Sequence, residues 1–161
     1  MIKVLFVCLG NICRSPLAEA IFNKKIKSLG LEERFSCDSC GTSDYHIGEL
    51  PDERTLKCAA EKNIPIKHRA RQLNRVDLRE FHYLIAMDYS NKKNIQLLID
   101  QYGIQNRKVI LMREFQPDAD HLEVPDPYYG GDEGFEQVHE ILNDSIDHLL
   151  EHLRVEHNIY V

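Results

Sequence analysis

The amino-acid sequence predicts an α/β fold: a doubly wound, four-stranded parallel sheet with helices on both faces. Three observations predict it. Short β-branched apolar runs alternate with longer segments of helical period, the order of repeated β-α units. Right-handed crossovers wind such units into a parallel sheet covered on both sides. The first run, Val4-Leu5-Phe6-Val7, breaks at Gly10-Asn11 beyond its C-terminal end, the end at which sheets of this kind hold ligands.

The elements follow in order. Residues 2–7 are apolar and form the first strand. Residues 15–29 form the first helix, with Ser15 as cap and Pro16 at the first helical position. Ala18, Phe22, Ile26 and Leu29 share one face, Leu17 and Ile21 lie beside it, and Gly30 stops it. Residues 35–40 alternate and then meet Gly41, which marks a second strand. Residues 41–51 are rich in Gly, Ser, Asp and Pro, hence a loop. Pro51-Asp52-Glu53 starts a helix that reaches about Asn63, and residues 73–81 hold a short helical turn. Residues 82–87 form the third strand, ending at Asp88, which either caps the next helix or faces the site. Residues 91–102 form a helix closed by Gly103, and residues 108–112 the fourth strand. A long loop runs through Gly131. Residues 132–157 form the final helix, with Phe135, Val138, Leu142, Ile146, Leu149 and Leu153 as its buried stripe. Asp132, Glu133 and Glu136 suit its positive N-terminus. No repeat, linker or low-complexity tract interrupts the chain, and 161 residues make one domain with a full core.

Composition narrows the function. A net charge of −6 argues against a general nucleic-acid partner or an anionic membrane surface. No apolar run reaches the ~18 residues of a membrane span, and Lys3 is followed by too short an apolar run for a secretory signal. Five scattered cysteines, an odd count, do not form a disulfide scaffold and fit a reducing cytoplasmic compartment.

The stretch from Cys8 to Pro16 carries the chemistry. Strand, tight loop and helix start aim a row of backbone N–H groups (those of Leu9, Gly10, Asn11, Ile12, Cys13, Arg14 and Ser15) and a helix N-terminus at one point. Such a point binds phosphate or another oxyanion, so the predicted fold carries a phosphate-binding loop after its first strand. A loop curled around the anion puts Cys8 beneath the central atom and the Arg14 fork beside its oxygens. A field that holds a dianion also holds a thiolate, and a thiolate facing phosphorus is a nucleophile. Ser15 is placed to donate to that thiolate. No Gly-Lys-Ser/Thr follows, so this is not a Walker loop. Cys13 lies in the same curl, which makes the site redox-sensitive through a Cys8–Cys13 bridge. A leaving group on phosphorus needs an acid, and Asp126, between Pro125 and Pro127, is the candidate. A turn aspartate before proline is the bland alternative.

Val7 through Pro16 resembles the Val-Cys-x-Gly-Asn-x-Cys-Arg-Ser-Pro motif of the low-molecular-weight protein tyrosine phosphatases. Asp126-Pro127-Tyr128-Tyr129 resembles that family's Asp-Pro-Tyr-Tyr motif, and the spacing of the two motifs covers nearly the whole chain. The resemblance implies a cytosolic phosphatase that needs no metal and no cofactor. It implies that Cys8, Arg14 and Asp126 are catalytic, with Asp126 the general acid, and that a phosphotyrosine-containing protein is the substrate. It implies that Ser39 and His68 support Asn11 and Ser15, His68 lying in a stretch like the family's His-x-Ala-Arg-Gln. It makes Tyr128 and Tyr129 pocket walls and, in family members, phosphorylation sites. Leu9, Ile12 and Tyr45 complete the expected walls. Tyr45 stands where the family carries a Trp, and Leu9 at a position that varies among members.

Cys37 and Cys40 form a Cys-x-x-Cys pair. Zinc would need two more ligands at suitable spacing and a thioredoxin-like motif would open a helix, so the pair reads as incidental. His121, His139, His148, His152 and His157 read as solvent-facing. Three rivals remain: a thioredoxin-coupled arsenate reductase, a protein arginine phosphatase, and a phosphate-binding module without turnover. The reductase needs relay cysteines, and residues 75–100 hold none. A module has no use for Asp126. The arginine phosphatases look to carry a polar Thr where this chain has Ile12.

Overall fold

Val4, Leu5, Phe6 and Val7 are all fully buried, so the first strand is covered on both faces. In the computed structural model, which describes residues 1–160, this strand is β1 (Ile2–Cys8). It is followed by α1 (Arg14–Ser28), β2 (Phe35–Gly41), α2 (Glu53–Glu61), α3 (Arg75–Glu80), β3 (Tyr83–Ala86), α4 (Tyr89–Tyr102), β4 (Lys108–Leu111) and α5 (Asp132–Glu156). The sheet runs β2-β1-β3-β4 and every pair is parallel.

Alternation along β1 sorts the core. Val4 and Phe6 point to the face covered by α1 and α5, among Phe22, Ile26, Leu142, Ile146 and Leu149. Leu5 and Val7 point to the other, among Leu78, Ile95 and Ile99 of α3 and α4. The chain leaves β1 toward β2 on one side and β3 toward β4 on the other, so the winding reverses between β1 and β3. That crevice lies beyond Cys8 and Ala86.

The predicted elements are present, with shifts at their ends that have local causes. β1 extends to Cys8 and β2 to Gly41, which pair with each other. α1 begins at Arg14, not Ser15, and its N-cap is Cys13 without a side-chain cap bond. The expected cap Ser15 sits inside the first turn, its hydroxyl committed to the site. Pro16 falls at the third helical position, where a missing N–H still costs nothing because the first four have no partner. α2 stops at Glu61, and Asn63 takes φ +57°. α4 begins at Tyr89, two residues early, because Asp88 caps it by accepting from the Asn91 N–H at 2.7 Å. α5 ends at Glu156, with His157 as its C-cap.

Three of the histidines expected in solvent are half-buried: His139, His148 and His152. His152 stacks on Phe115 with centroids 3.7 Å apart, and the His139 Nδ1 is enclosed without a hydrogen-bond partner. α5 is long enough that parts of its polar side lie against neighbouring segments. His121 and His157 are exposed as expected. Among the described residues no helix is long and apolar enough to cross a membrane.

Candidate active site

β1 ends where its partner strand ends, and the chain turns sharply through Leu9 to Cys13. The turn needs two special residues. A Cβ at Gly41 would stand 2.5 Å from the Leu9 carbonyl oxygen, so only glycine lets the loop lie against β2. Asn11 takes φ +59°, the left-handed region that side chains rarely occupy. It is fully buried, and four hydrogen bonds hold it there. Its Nδ2 donates to Ser15 Oγ at 2.8 Å and Ser39 Oγ at 3.0 Å. Its Oδ1 accepts from the Arg71 N–H at 3.0 Å and from His68 Nε2 at 2.6 Å.

The Cys8 Sγ accepts the Asn11 N–H at 3.3 Å and lies 3.0 Å from Ser15 Oγ. Ser15 Oγ accepts from Asn11, and its proton has two acceptors in reach, the Cys8 sulfur at 3.0 Å and the Cys40 carbonyl at 3.4 Å. Burial first, then the negative groups Asp52, Cys8 and Asp126, push the Cys13 thiol up to about 12. Cys13 therefore stays a thiol at neutral pH. Both cysteines are free in the structure.

Arg14 opens α1 with its guanidinium almost wholly enclosed. Nη1 donates to Asp88 Oδ2 at 2.7 Å and to the Val124 carbonyl at 3.0 Å, while Nη2 lies 3.6 Å from Asp126 Oδ2. Burial would lower its pKa, but Cys8, Asp88 and Asp126 outweigh it and hold the guanidinium above its ordinary value. Asp88 thus caps α4 with one oxygen and braces Arg14 with the other. Asp126 is half-exposed, and its Oδ1 accepts the Tyr128 N–H at 3.1 Å.

These groups line one cavity of about 100 Å³, with Leu9, Gly10, Ile12, Tyr45, His46, Tyr128 and Tyr129. The walls differ in rigidity. Ile12 is buried, whereas Tyr45 and Tyr129 stand at the rim, 70% and 94% exposed. The Tyr128 and Tyr129 rings meet edge to face, 4.9 Å between centroids. Every site residue expected from the sequence lies at this cavity or in the hydrogen-bond network beneath it: Ser39 and His68 reach Asn11, and Ser39 also touches His68 Nε2 at 3.3 Å.

Four contributors were not anticipated: His46, Arg54, Glu19 and Arg71. His46 joins the wall beside Tyr128. Arg54, clamped by Asp52, donates Nη1 to the Gly130 carbonyl and Nη2 to the Tyr128 carbonyl, both at 2.9 Å. Glu19 accepts from Ser39 Oγ at 2.6 Å, and Arg71 joins Asp38 to Asp77. The local signals among them were the Pro51-Asp52-Glu53 helix start just before Arg54 and the His-x-Ala-Arg-Gln stretch that holds Arg71.

A cysteine under a loop of amides, an arginine fork and a facing aspartate at the crevice of a doubly wound sheet have a counterpart among known proteins. The family model described as low molecular weight phosphotyrosine protein phosphatase matches residues 3–158. The chain belongs to this family. The low molecular weight phosphotyrosine protein phosphatase of Schizosaccharomyces pombe is 48% identical over 135 residues, 83% of this chain and 85% of that protein. The solved structure of a protein tyrosine phosphatase from Entamoeba histolytica, with Hepes in its active site, has a TM-score of 0.88 at 38% identity, covering 99% of this chain and 100% of that one. The drosophila arginine phosphatase is also similar in structure, with a TM-score of 0.91 at 28% identity over 95% of this chain and 98% of that one. Proteins named for two different phosphorylated side chains are thus both similar in structure to this chain, and the fold does not separate them.

Proposed function

We propose that this family member is a protein tyrosine phosphatase acting through a phosphocysteine, its single catalytic domain spanning residues 1–161. The observation that carries the reading is the convergence of Cys8, the Arg14 Nη2 and the Asp126 Oδ2 on one cavity. The amides from Leu9 to Ser15 and the Arg14 fork bind the phosphoryl oxygens and follow them into the transition state. The Cys8 thiolate attacks phosphorus, the P–O bond to the phenol breaks, and Asp126 gives its proton to the leaving oxygen. Asp126 then takes a proton from water as the water attacks the phosphocysteine. The S–P bond breaks, releasing inorganic phosphate and restoring the thiolate. Neither step calls for a metal or cofactor. Ser15 steadies the sulfur, and Asn11, Ser39 and His68 hold the loop.

Substrate choice falls to the walls. Leu9, Ile12, Tyr45, Tyr128 and Tyr129 give an apolar slot with aromatic sides, and a phenyl ring gains from burial there. Phosphoserine is too short to reach those walls with its phosphate in the loop. A guanidino group beside Ile12 would leave donors unpaired, at about 1–3 kcal/mol per buried group. Five free thiols and a reactive cysteine suit a reducing, cytoplasmic compartment, with Cys13 protecting Cys8 as a disulfide under oxidation. The partner is a phosphotyrosine protein rather than nucleic acid or a membrane.

The test is kcat/KM on matched phosphotyrosine, phosphoarginine and phosphoserine peptides, with Ile12→Thr in parallel. Phosphotyrosine leads in the wild type and Ile12→Thr narrows the gap to phosphoarginine. A wild-type preference for phosphoarginine overturns the substrate and leaves the Cys8 chemistry in place.

A further inference from the structure

Three residues before Asp126, a side chain ties the long loop to a helix start. Glu123 Oε2 accepts the Tyr89 N–H at 2.9 Å. Tyr89 is the first residue of α4, so its N–H is one of the four that a helix leaves without an intrahelical partner. Asp88 takes the Asn91 N–H of the same turn at 2.7 Å. Two carboxylates thus cap one helix, one from its own N-cap and one from the loop, and both suit its positive end.

The anchor is firm. The other oxygen of Asp88 receives Arg14 Nη1 at 2.7 Å, so the helix start that holds Glu123 also holds the phosphate-binding fork. The Glu123 backbone is fixed as well. Arg113, only 8% exposed, donates Nη1 to the Glu123 carbonyl at 3.3 Å and Nε to Gln116 Oε1 at 3.0 Å.

What is fixed at Glu123 carries through to Asp126. The chain between and beyond them reads Val124-Pro125-Asp126-Pro127. Each proline ring locks its own φ, and each confines the residue before it to extended backbone. Few torsions remain to absorb a shift, so the segment moves as a short rod. Val124 pins that rod at two points, its N–H on the Met87 carbonyl at 2.7 Å and its carbonyl under Arg14 Nη1 at 3.0 Å. A segment held only there can still turn about the line joining the two bonds, and the turn carries Asp126 across the mouth of the cavity. The Glu123 carboxylate adds a fastening in a different residue.

We propose that Glu123 is a positioning residue for the proton transfer by Asp126, through its bond to the start of α4. The proposal rests on the reading of Asp126 as the general acid. With the bond in place the Asp126 carboxylate stays beside the fork, Oδ2 at 3.6 Å from Arg14 Nη2. Without it the carboxylate spends time where its proton does not reach the leaving oxygen. Substrates whose leaving group needs that proton then lose most.

The experiment compares Glu123→Ala, Glu123→Gln, Asp126→Ala and the Glu123→Ala/Asp126→Ala double variant, all full-length, by kcat/KM on phenyl and nitrophenyl phosphate. Glu123→Ala lowers the phenyl phosphate value by up to roughly 10-fold, what one charge-assisted hydrogen bond can supply. The loss is smaller with nitrophenyl phosphate, and vanadate affinity is unchanged. Glu123→Gln recovers most of the loss, because its amide oxygen still accepts the Tyr89 N–H. On top of Asp126→Ala, Glu123→Ala costs nothing more, as two residues acting through one group require. A wild-type value in Glu123→Ala, equal losses on the two esters, no recovery with Gln, or a further loss in the double variant overturns the assignment. Equal losses on the two esters in Asp126→Ala alone overturn the general-acid reading instead.

Discussion

Asn11 and Asp126 lie on two loops that face the same cavity, and they are held in opposite ways. Asn11 is fully buried, strained to φ +59°, and tied by four hydrogen bonds to β2, α1 and the His68 segment. Asp126 is half-exposed between Pro125 and Pro127. Its loop is fastened on either side of Asp126: the Val124 N–H to the Met87 carbonyl, the Glu123 and Val124 carbonyls to Arg113 and Arg14, the Glu123 carboxylate to the Tyr89 N–H, and the Tyr128 and Gly130 carbonyls to Arg54. The difference matches what each loop must recognise. A phosphoryl group has one shape in every substrate, so a rigid cradle loses nothing by being fixed. The leaving group varies and must enter and depart, so the acid sits on the freer side. Arg14 joins the two: it rises from the end of the phosphate loop and sets Nη1 on the Val124 carbonyl and Nη2 beside Asp126.

The comparison breaks first at Cys8. Cys8→Ser abolishes turnover but keeps vanadate or phosphate affinity, because the amide cradle survives; metal-free hydrolysis by this variant would refute the nucleophile. Arg14→Lys also loses most activity, since an ammonium cannot supply a planar fork. It should weaken oxyanion binding too, which separates it from Cys8→Ser in a vanadate titration.

Asp126→Ala comes next and sharpens the contrast. It lowers kcat by roughly 10²–10⁴-fold and leaves oxyanion binding untouched. The loss shrinks with nitrophenyl phosphate, whose leaving group needs no proton. Equal losses for phenyl and nitrophenyl phosphate would mean that Asp126 does not act as the acid.

Arg54→Ala tests the fastening of the freer loop from outside the cavity. Two charge-assisted bonds to backbone carbonyls disappear, and one such bond is worth ~1.5 kcal/mol. A drop of roughly 10-fold in kcat for poor leaving groups follows, with vanadate affinity unchanged. A matching loss of vanadate affinity would show that Arg54 braces the phosphate loop instead.

The two regions also differed in how far the sequence disclosed them. Cys8 to Ser15 are contiguous, and strand, Gly-Asn break and helix start are local signals, so the loop and the four-stranded parallel fold around it were legible. Only the helix start slipped by one residue, because Ser15 bonds inward instead of capping. Asp126 lies 118 residues beyond Cys8 by their numbering, and the residues around it gave a weak turn signal that became specific through Asp-Pro-Tyr-Tyr. The roles of Arg54, Glu19 and Arg71 were not legible, because their partners are brought close only by the crossovers. Arg54 reaches Tyr128 and Gly130 from α2, and Glu19 reaches Ser39 across the α1–β2 contact. A charged residue on a helix looks the same in sequence whether it faces water or a buried partner.

The smallest expected effect lies beneath the rigid loop. Burial, with Asp38 nearby, pushes the Glu19 carboxyl up to about 7, although Ser39 and Arg71 pull the other way. An unfolded glutamate titrates near ~4.3, so the folded state binds this proton more tightly. The stability it contributes is fully present below ~4.3 and is lost as pH rises through the folded value. Glu19→Gln cannot ionise and does not suffer that loss. The variant and the wild type should be close at pH 4.5, and the variant should be more stable at pH 8.5 by up to ~3 kcal/mol. Urea denaturation at the two values measures the gap. A gap that does not widen with pH would mean that the Glu19 charge is already matched in the folded protein, and that the firmly tied half of the site carries no unbalanced acid.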